Sequence, residues 1–196
     1  KSLGVKSSAI IDASLKQLDK YGPSGWTGYS YAWLANLKAR AFDGEGAAEA
    51  LRIFAECFCL RNGFHANGDQ SGTGKSNFTY RPFTLEGNMA FASGVQEMLL
   101  QSHTGIIRLF PAIPKDWLNV SFKKLRAVGA FVVCAKIENG RKLSVDILSE
   151  KGGTLRLYNP FSGEFKISNK KAYVLKAGTI EVEMEQGEIL NFVGLK

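Results

Sequence analysis

Apolar residues recur with two different periods along this chain, and the change of period divides it. From about Ser8 to Leu18, Ile10, Ile11, Leu15 and Leu18 fall near helical spacing, and Tyr21-Gly22-Pro23 stops the run. Between Thr27 and Phe42, Tyr31, Leu34, Ala35, Leu37 and Ala41 predict a second helix, closed by Asp43-Gly44-Glu45-Gly46. Ala47 to Leu60 predicts a third, with Leu51, Phe54, Ala55 and Phe58 on one stripe. Such short links make antiparallel neighbours. A stretch rich in Gly, Ser and Asn runs from Arg61 to about Leu85, a length at which loops are usually functional or disordered. Asn88 to Gln101 predicts a fourth helix, with Phe91, Val95, Met98 and Leu99 facing one way.

After His103 the period becomes two. Strands are expected over 106–109, 120–125, 130–138, 142–149, 153–158, 163–167, 171–176, 180–184 and 189–193. Asn139-Gly140 between two such runs is a hairpin signal, and Lys151-Gly152-Gly153 and Ala177-Gly178 mark further turns. The expected fold class is α+β: helices to residue 104, then an antiparallel β-sandwich over 105–196. The helical half carries Trp26, Tyr29, Tyr31 and Trp33, too many large rings to point inward in one small core. This suggests that the helices close a larger helical toroid.

Composition changes the picture little. The chain has 196 residues, 45% hydrophobic and 22% charged, ordinary for a folded soluble protein. No apolar run is long enough to cross a membrane. The N-terminal KSLGVKSSAI lacks a signal-peptide core and reads as a chain entered part-way, with any signal removed or lying upstream. The net charge of +7 is scattered among acids; Lys123, Lys124 and Arg126, and Lys170 with Lys171, are small clusters. A nucleic-acid partner needs a concentrated basic face, so none is expected. Three cysteines and two histidines show no metal-ligand spacing, and neither metal nor cofactor is expected. Cys57 and Cys59, two apart on a helix, point to different sides. All three thiols are read as buried. Ser71-Gly72-Thr73-Gly74-Lys75-Ser76 has Asp69 where a phosphate-binding loop needs its first glycine, and it reads as a mobile rim loop.

The candidate chemistry sits in Tyr80 to Trp117. Glu86 stands beside Gly87 and Asn88 where a loop runs into a helix, an arrangement suited to an uncharged polar ligand such as a sugar. Two readings stand for each residue. Glu86 either caps its helix or faces a ligand. Asn88 is an N-cap or a support for the Glu86 loop. Trp33 stacks on a sugar or joins a core. Asn36 and Arg40 are ligand contacts or polar ties between helices.

The words around these residues are distinctive in order and spacing. Residues 27–40, TGYSYAWLANLKAR, are similar to a T-G-W-S-x-A-W-x-x-N-x-x-A-R helix, with Asp43-Gly44 following. Tyr80-Arg81-Pro82-Phe83-Thr84-Leu85-Glu86-Gly87-Asn88 is similar to H-P-P-F-Q-I-D-G-N. Residues 97–103 (EMLLQSH) and 109–117 (LFPAIPKDW) follow in place, then Leu125 to Phe131 as a variant of L-R-A-R-G-G-F. The span from Thr27 to about Ser149 thereby resembles the C-terminal portion of glycoside hydrolase family 95, the inverting α-L-fucosidases and related α-L-galactosidases.

The resemblance implies an (α/α)6 barrel followed by a β-sandwich, of which this chain would hold the last barrel helices and the sandwich. It implies that the D-G-N carboxylate polarises asparagines that hold the attacking water; the matching position is Glu86, a Glu where the family has Asp. Tyr80 stands where the family often has a sugar-binding His. Asn88, Trp33, Arg81 and Asn36 complete the expected substrate contacts. Neither the general acid nor the water-holding asparagines have a match here. The parent is therefore expected to be an O-glycosyl hydrolase, periplasmic or secreted, and this chain alone to be inactive. Expected partners are a glycan or oligosaccharide, and either the missing N-terminal part or a second copy, with no nucleic acid and no membrane. The alternative is a non-catalytic carbohydrate-binding or structural module in which Glu86 is a remnant.

Overall fold

The computed structural model describes residues 5–194, and side chains from Ser8 onward; the first four residues of the KSLGVKSSAI segment lie outside the described residues. The order is α1 (Val5–Tyr21), α2 (Gly28–Arg40), α3 (Gly44–Cys57), α4 (Leu85–Leu99), then β1 (Leu100–Gln101), β2 (Arg108–Leu109), β3 (Val120–Ala127), β4 (Phe131–Glu138), β5 (Lys142–Ser149), β6 (Gly153–Tyr158), β7 (Phe165–Ile167), a 3-10 turn (Ser168–Lys170), β8 (Val174–Lys176), β9 (Thr179–Met184) and β10 (Ile189–Gly194). The protein is thus α+β. It divides into two compact units, residues 1–98 with 111–114, and residues 99–110 with 115–196.

In the helical unit, α2 buries Tyr31, Ala32, Leu34, Ala35 and Ala39, and α3 buries Ala47, Ala50, Leu51, Phe54 and Cys57. The alanines let the two backbones approach, and Leu51 and Phe54 fill the remaining space. Each fully buried Leu or Phe contributes about 1.5–3 kcal/mol from the area withdrawn from water. α2 stops at Arg40 because Phe42 takes φ 64°, a left-handed turn that ends the helical ladder. Asp43 then caps α3, its Oδ1 accepting from the Gly46 N–H at 2.8 Å.

α4 begins at Leu85, three residues before the position expected from its apolar pattern. Gly87 and Asn88 look like breakers, but both lie inside the first turns, and the Asn88 side chain reaches sideways instead of capping. The helix also ends two residues early. Leu100 and Gln101 leave it to pair with Leu109 and Arg108 as a short antiparallel ribbon. Likewise α3 ends at Cys57, not Leu60, because Cys59 bridges to His65.

The second unit holds a five-stranded antiparallel sheet, β3-β4-β5-β10-β7, and a three-stranded one, β6-β9-β8. Alternating residues share one core: Phe131, Val133 and Ala135 from β4, Val145 and Ile147 from β5, Leu155 and Leu157 from β6, Ile180 and Val182 from β9, and Leu190 and Phe192 from β10. Asn139 and Gly140 take φ 52° and 67°, and Ala177 and Gly178 take 47° and 75°, the paired left-handed residues of tight hairpins. β7 and β8 are shorter than expected, since Asn169 and Lys170 turn left-handed between them. β3 carries a bulge between Phe122 and Leu125, where Lys124 has φ 58° and its N–H meets Cys134 Sγ at 3.3 Å. The thiols also correct the sequence reading. All three are free, but only Cys57 is buried; Cys59 and Cys134 are half-buried.

Candidate functional site

The first turn of α4 carries Glu86, whose side chain is exposed. The residues around it are anchored, and the anchor is His65. This histidine is fully buried, and its ring stacks on Phe54 of α3 at an interplanar angle of 28°, with centroids 5.1 Å apart. Its Nδ1 faces the Thr84 carbonyl at 2.9 Å and Thr84 Oγ1 at 2.8 Å. Its backbone N–H donates to Asn88 Oδ1 at 2.9 Å, while the Asn88 amide donates to the Gly63 carbonyl at 2.8 Å. Gly87 packs on one edge of the ring, so that a methyl there would fall 2.6 Å from His65 Cγ. Gly28, the first residue of α2, closes over the other edge, where a methyl would overlap Nε2 and sit 2.6 Å from Phe58 Cβ. Burial pushes the His65 pKa down, against the opposing pull of the Thr84 hydrogen bond and the Glu86 charge.

A second knot organises the glycine-rich loop. Asp69, which is buried, accepts from the Ser71 N–H at 2.8 Å, Ser71 Oγ at 2.6 Å and the Lys75 N–H at 2.9 Å. Burial alone would raise its pKa, but the donors from Ser71, Lys75 and Gly72 outweigh it and hold the carboxyl below its usual value. Tyr31 donates its hydroxyl to the Lys75 carbonyl at 2.7 Å, and Ser76 Oγ donates to the Trp26 carbonyl at 2.6 Å. Burial, with Cys57 and Asp69 nearby, pushes the Tyr31 phenol up to about 12. The loop is therefore fastened to α2 through Tyr31 and to the segment just ahead of α2 through Trp26. It does not form a phosphate cradle, because the N–H groups of Ser71, Gly72 and Lys75 are already turned onto Asp69 and that of Thr73 onto Ser71.

The Glycosyl hydrolase family 95 catalytic domain model matches residues 3–99, and the Glycoside hydrolase family 95, C-terminal domain model matches residues 101–192. The chain belongs to glycoside hydrolase family 95. It is similar to Alpha-L-fucosidase 2 of Arabidopsis thaliana, 34% identical over 143 residues, which is 72% of this chain and 16% of that protein. The chain thus spans about a sixth of the length of this relative. A GH127 beta-L-arabinofuranosidase from Geobacillus stearothermophilus T6 is similar over 81% of this chain and 30% of its own, at 12% identity and a TM-score of 0.33.

The family 95 motif residues fall into distinct surroundings. Asn36 on α2 donates to the Ala32 carbonyl at 2.8 Å and the Ala90 carbonyl at 2.9 Å, and accepts from Ser93 Oγ at 2.9 Å, so its amide ties α2 to α4. Arg40 and Glu97 make a second tie between the same helices through a two-pronged ion pair. Trp33 is 48% exposed on α2. Tyr80 is also exposed and meets Phe78 edge-on, with centroids 5.5 Å apart. Arg81 Nε donates to Gln70 Oε1 at 2.7 Å. Phe64 and Phe83 form an exposed stacked pair at 4.7 Å.

A hollow of about 260 Å³ in this unit is lined by Leu18, Trp26, Tyr31, Ile53 and Lys75 among others, and none of the six candidate residues lines it. Among the described residues no cluster of His, Cys, Asp or Glu is arranged to hold a metal. From the sequence, His65 is weighed only as a metal ligand and given no role. Its partners lie at positions 28, 54, 84, 87 and 88, and no local pattern joins them.

Proposed function

We propose that the chain is the C-terminal part of an inverting glycoside hydrolase that removes terminal α-L-fucosyl or α-L-galactosyl residues from glycans. In this reading α1 to α4 are the last helices of an (α/α)6 barrel and residues 105–196 are the β-domain that follows. Inversion needs a general acid on one side of the glycosidic bond and a base-activated water on the other. Glu86 supports the water side, by orienting the groups that hold the water. The observation that carries this is Glu86 itself: the acid of the family's D-G-N motif position, left exposed on a backbone held at Thr84, Gly87 and Asn88. A side chain free at its tip and fixed at its root suits a half-site whose other wall is contributed elsewhere.

The remaining candidates divide by what they have to offer. Trp33 and Tyr80 present exposed rings, and a ring face is what the apolar side of a sugar packs against. Arg81 presents its remaining guanidinium donors beside Tyr80. Asn36 and Asn88, whose amides are engaged with protein groups, act by holding α4 in place. The chain by itself is inactive, because the acid half of the reaction has no counterpart in it. The complete protein works in the periplasm or outside the cell, where glycans are met. Among the described residues no helix is long and apolar enough to cross a membrane.

The test is turnover of aryl α-L-fucoside and α-L-galactoside. The complete protein should hydrolyse one of them and lose that activity in Glu86→Gln, which keeps the shape and removes the charge. The 196-residue chain alone should be inert. Full activity in Glu86→Gln, with sugar binding confined to residues 105–196, would instead favour a carbohydrate-binding module.

A further inference from the structure

Thr84 Oγ1 donates its proton to Asn67 Oδ1 at 3.2 Å, so its lone pairs face the His65 ring. Nδ1 of His65 therefore looks onto two acceptors, this hydroxyl and the Thr84 carbonyl, and must carry the ring proton. Nε2 is buried and has no hydrogen-bond partner among the described residues; the Gly28 backbone closes over it. A proton added there would point an N–H into a space with no acceptor, which costs the full desolvation of that group.

Resting on the proposed role of Glu86, we propose that His65 is the positioning residue of this site: a neutral imidazole protonated on Nδ1, slotted between Gly28 and Gly87, that fixes the Glu86-bearing turn of α4 against the start of α2. The fixing is complete on both sides of Glu86. Upstream, Thr84 is held through its carbonyl and hydroxyl, and its N–H donates to the His65 carbonyl at 3.4 Å. Downstream, Gly87 lies on the ring edge and Asn88 receives the His65 N–H. Only the side chains of Leu85 and Glu86, between the two anchors, turn out to solvent. The two glycines are the complement of the ring: a side chain at either would expel it. Phe54 on the ring face sets its tilt, and Glu86 is the charged group that acts on it. The ring touches no reacting atom. Its work is to decide where the carboxylate starts.

Two measurements test this. In the nitrogen-15-labelled chain, the imidazole correlations should show Nδ1 protonated and Nε2 bare, unchanged from about pH 7.5 down past the ordinary histidine midpoint of about 6.5. A ring protonated on Nε2, or one titrating at that midpoint, would overturn the proposal. In the complete protein, His65→Asn puts an amide nitrogen where Nδ1 stands, and His65→Gln puts one where Nε2 stands. The Asn variant should keep kcat within about threefold, and the Gln variant should lose about a hundredfold in kcat with KM little changed, the cost of a misplacement near 1 Å. Equal losses that follow a fall in Tm would make His65 a core residue only, and sink the idea. If neither variant folds, the tautomer decides alone. Loss in Glu86→Gln with full activity in both His65 variants would overturn the positioning role alone; an unaffected Glu86→Gln enzyme would overturn the reading of Glu86 and this role with it.

Discussion

At the scale of single residues, the slot around His65 makes stability depend on pH in a definite direction. Burial lowers its folded pKa below the unfolded value of 6.5, in spite of Thr84 and Glu86. Between those two values the unfolded chain binds a proton that the folded chain refuses, so stability is fully present above about pH 6.5 and falls as pH drops toward the folded value. The wild-type Tm should therefore decline more steeply from about pH 7 to about pH 5 than that of His65→Asn, which has no proton to take up. Parallel curves would show that the ring titrates alike in both states. The glycines give a second expectation. In Gly87→Ala the new methyl meets the imidazole, an overpacking cost of about 1–3 kcal/mol. The gain in helix propensity, about 1 kcal/mol, offsets part of it, leaving a net loss of up to about 2 kcal/mol in denaturant unfolding. A stabilised Gly87→Ala would mean the slot is looser than its geometry implies.

Among the elements, α2 and α4 are joined through polar groups as much as through packing. Asn36 fills its amide with two carbonyls and a hydroxyl from both helices. Asn36→Ala removes the ties to the Ala90 carbonyl and to Ser93, and should cost about 0.5–1.5 kcal/mol by urea titration. Less than about 0.5 kcal/mol would mean that solvent takes over these groups without penalty. The loop of residues 69–76 hangs on Asp69 in the same way, and its carboxylate is stabilising only while ionised. Its lowered pKa places that contribution above the unfolded value of 3.8, and it is lost as pH falls through the folded one. Asp69→Ala should free the segment at neutral pH, seen as rapid tryptic cleavage after Lys75; resistance there would show that Tyr31 and Ser76 suffice to hold it. These ties explain what the sequence revealed and what it hid. The strands from Lys142 to Tyr158 were legible to the residue, because alternation and Asn139-Gly140 are local signals. The start of α4 was not. Gly87 reads as a breaker until His65, twenty-two positions earlier in the chain, turns out to occupy the room it leaves. The Glu86 motif was legible as a word, while the residue that holds it carries no signature of its own.

For the molecule as a whole, the distribution of exposed apolar surface decides how it behaves in solution. In the helical unit, besides the rings assigned to the sugar, Tyr29, Phe64, Phe83, Leu85 and Met89 are all at least two-fifths exposed, and they lie on α2, on α4 and on the loop between α3 and α4. Single exposed apolar residues are ordinary, but here they come as neighbours, Leu85 with Met89 one turn apart on α4 and Phe64 stacked on Phe83, as on a surface that meets protein. In the proposed reading the upstream barrel helices meet it, and when the chain is prepared alone a second copy takes their place. Sedimentation should then show an average mass that rises with concentration over the micromolar range. Tyr29→Ser together with Met89→Ser should shift it toward the monomer, without changing the helix content. The driving force is apolar, so added salt should not dissolve the association, as it would one built on the scattered charge of +7. A chain that stays monomeric at high concentration, with these side chains still in water, would remove the strongest reason for treating the helices as part of a larger ring.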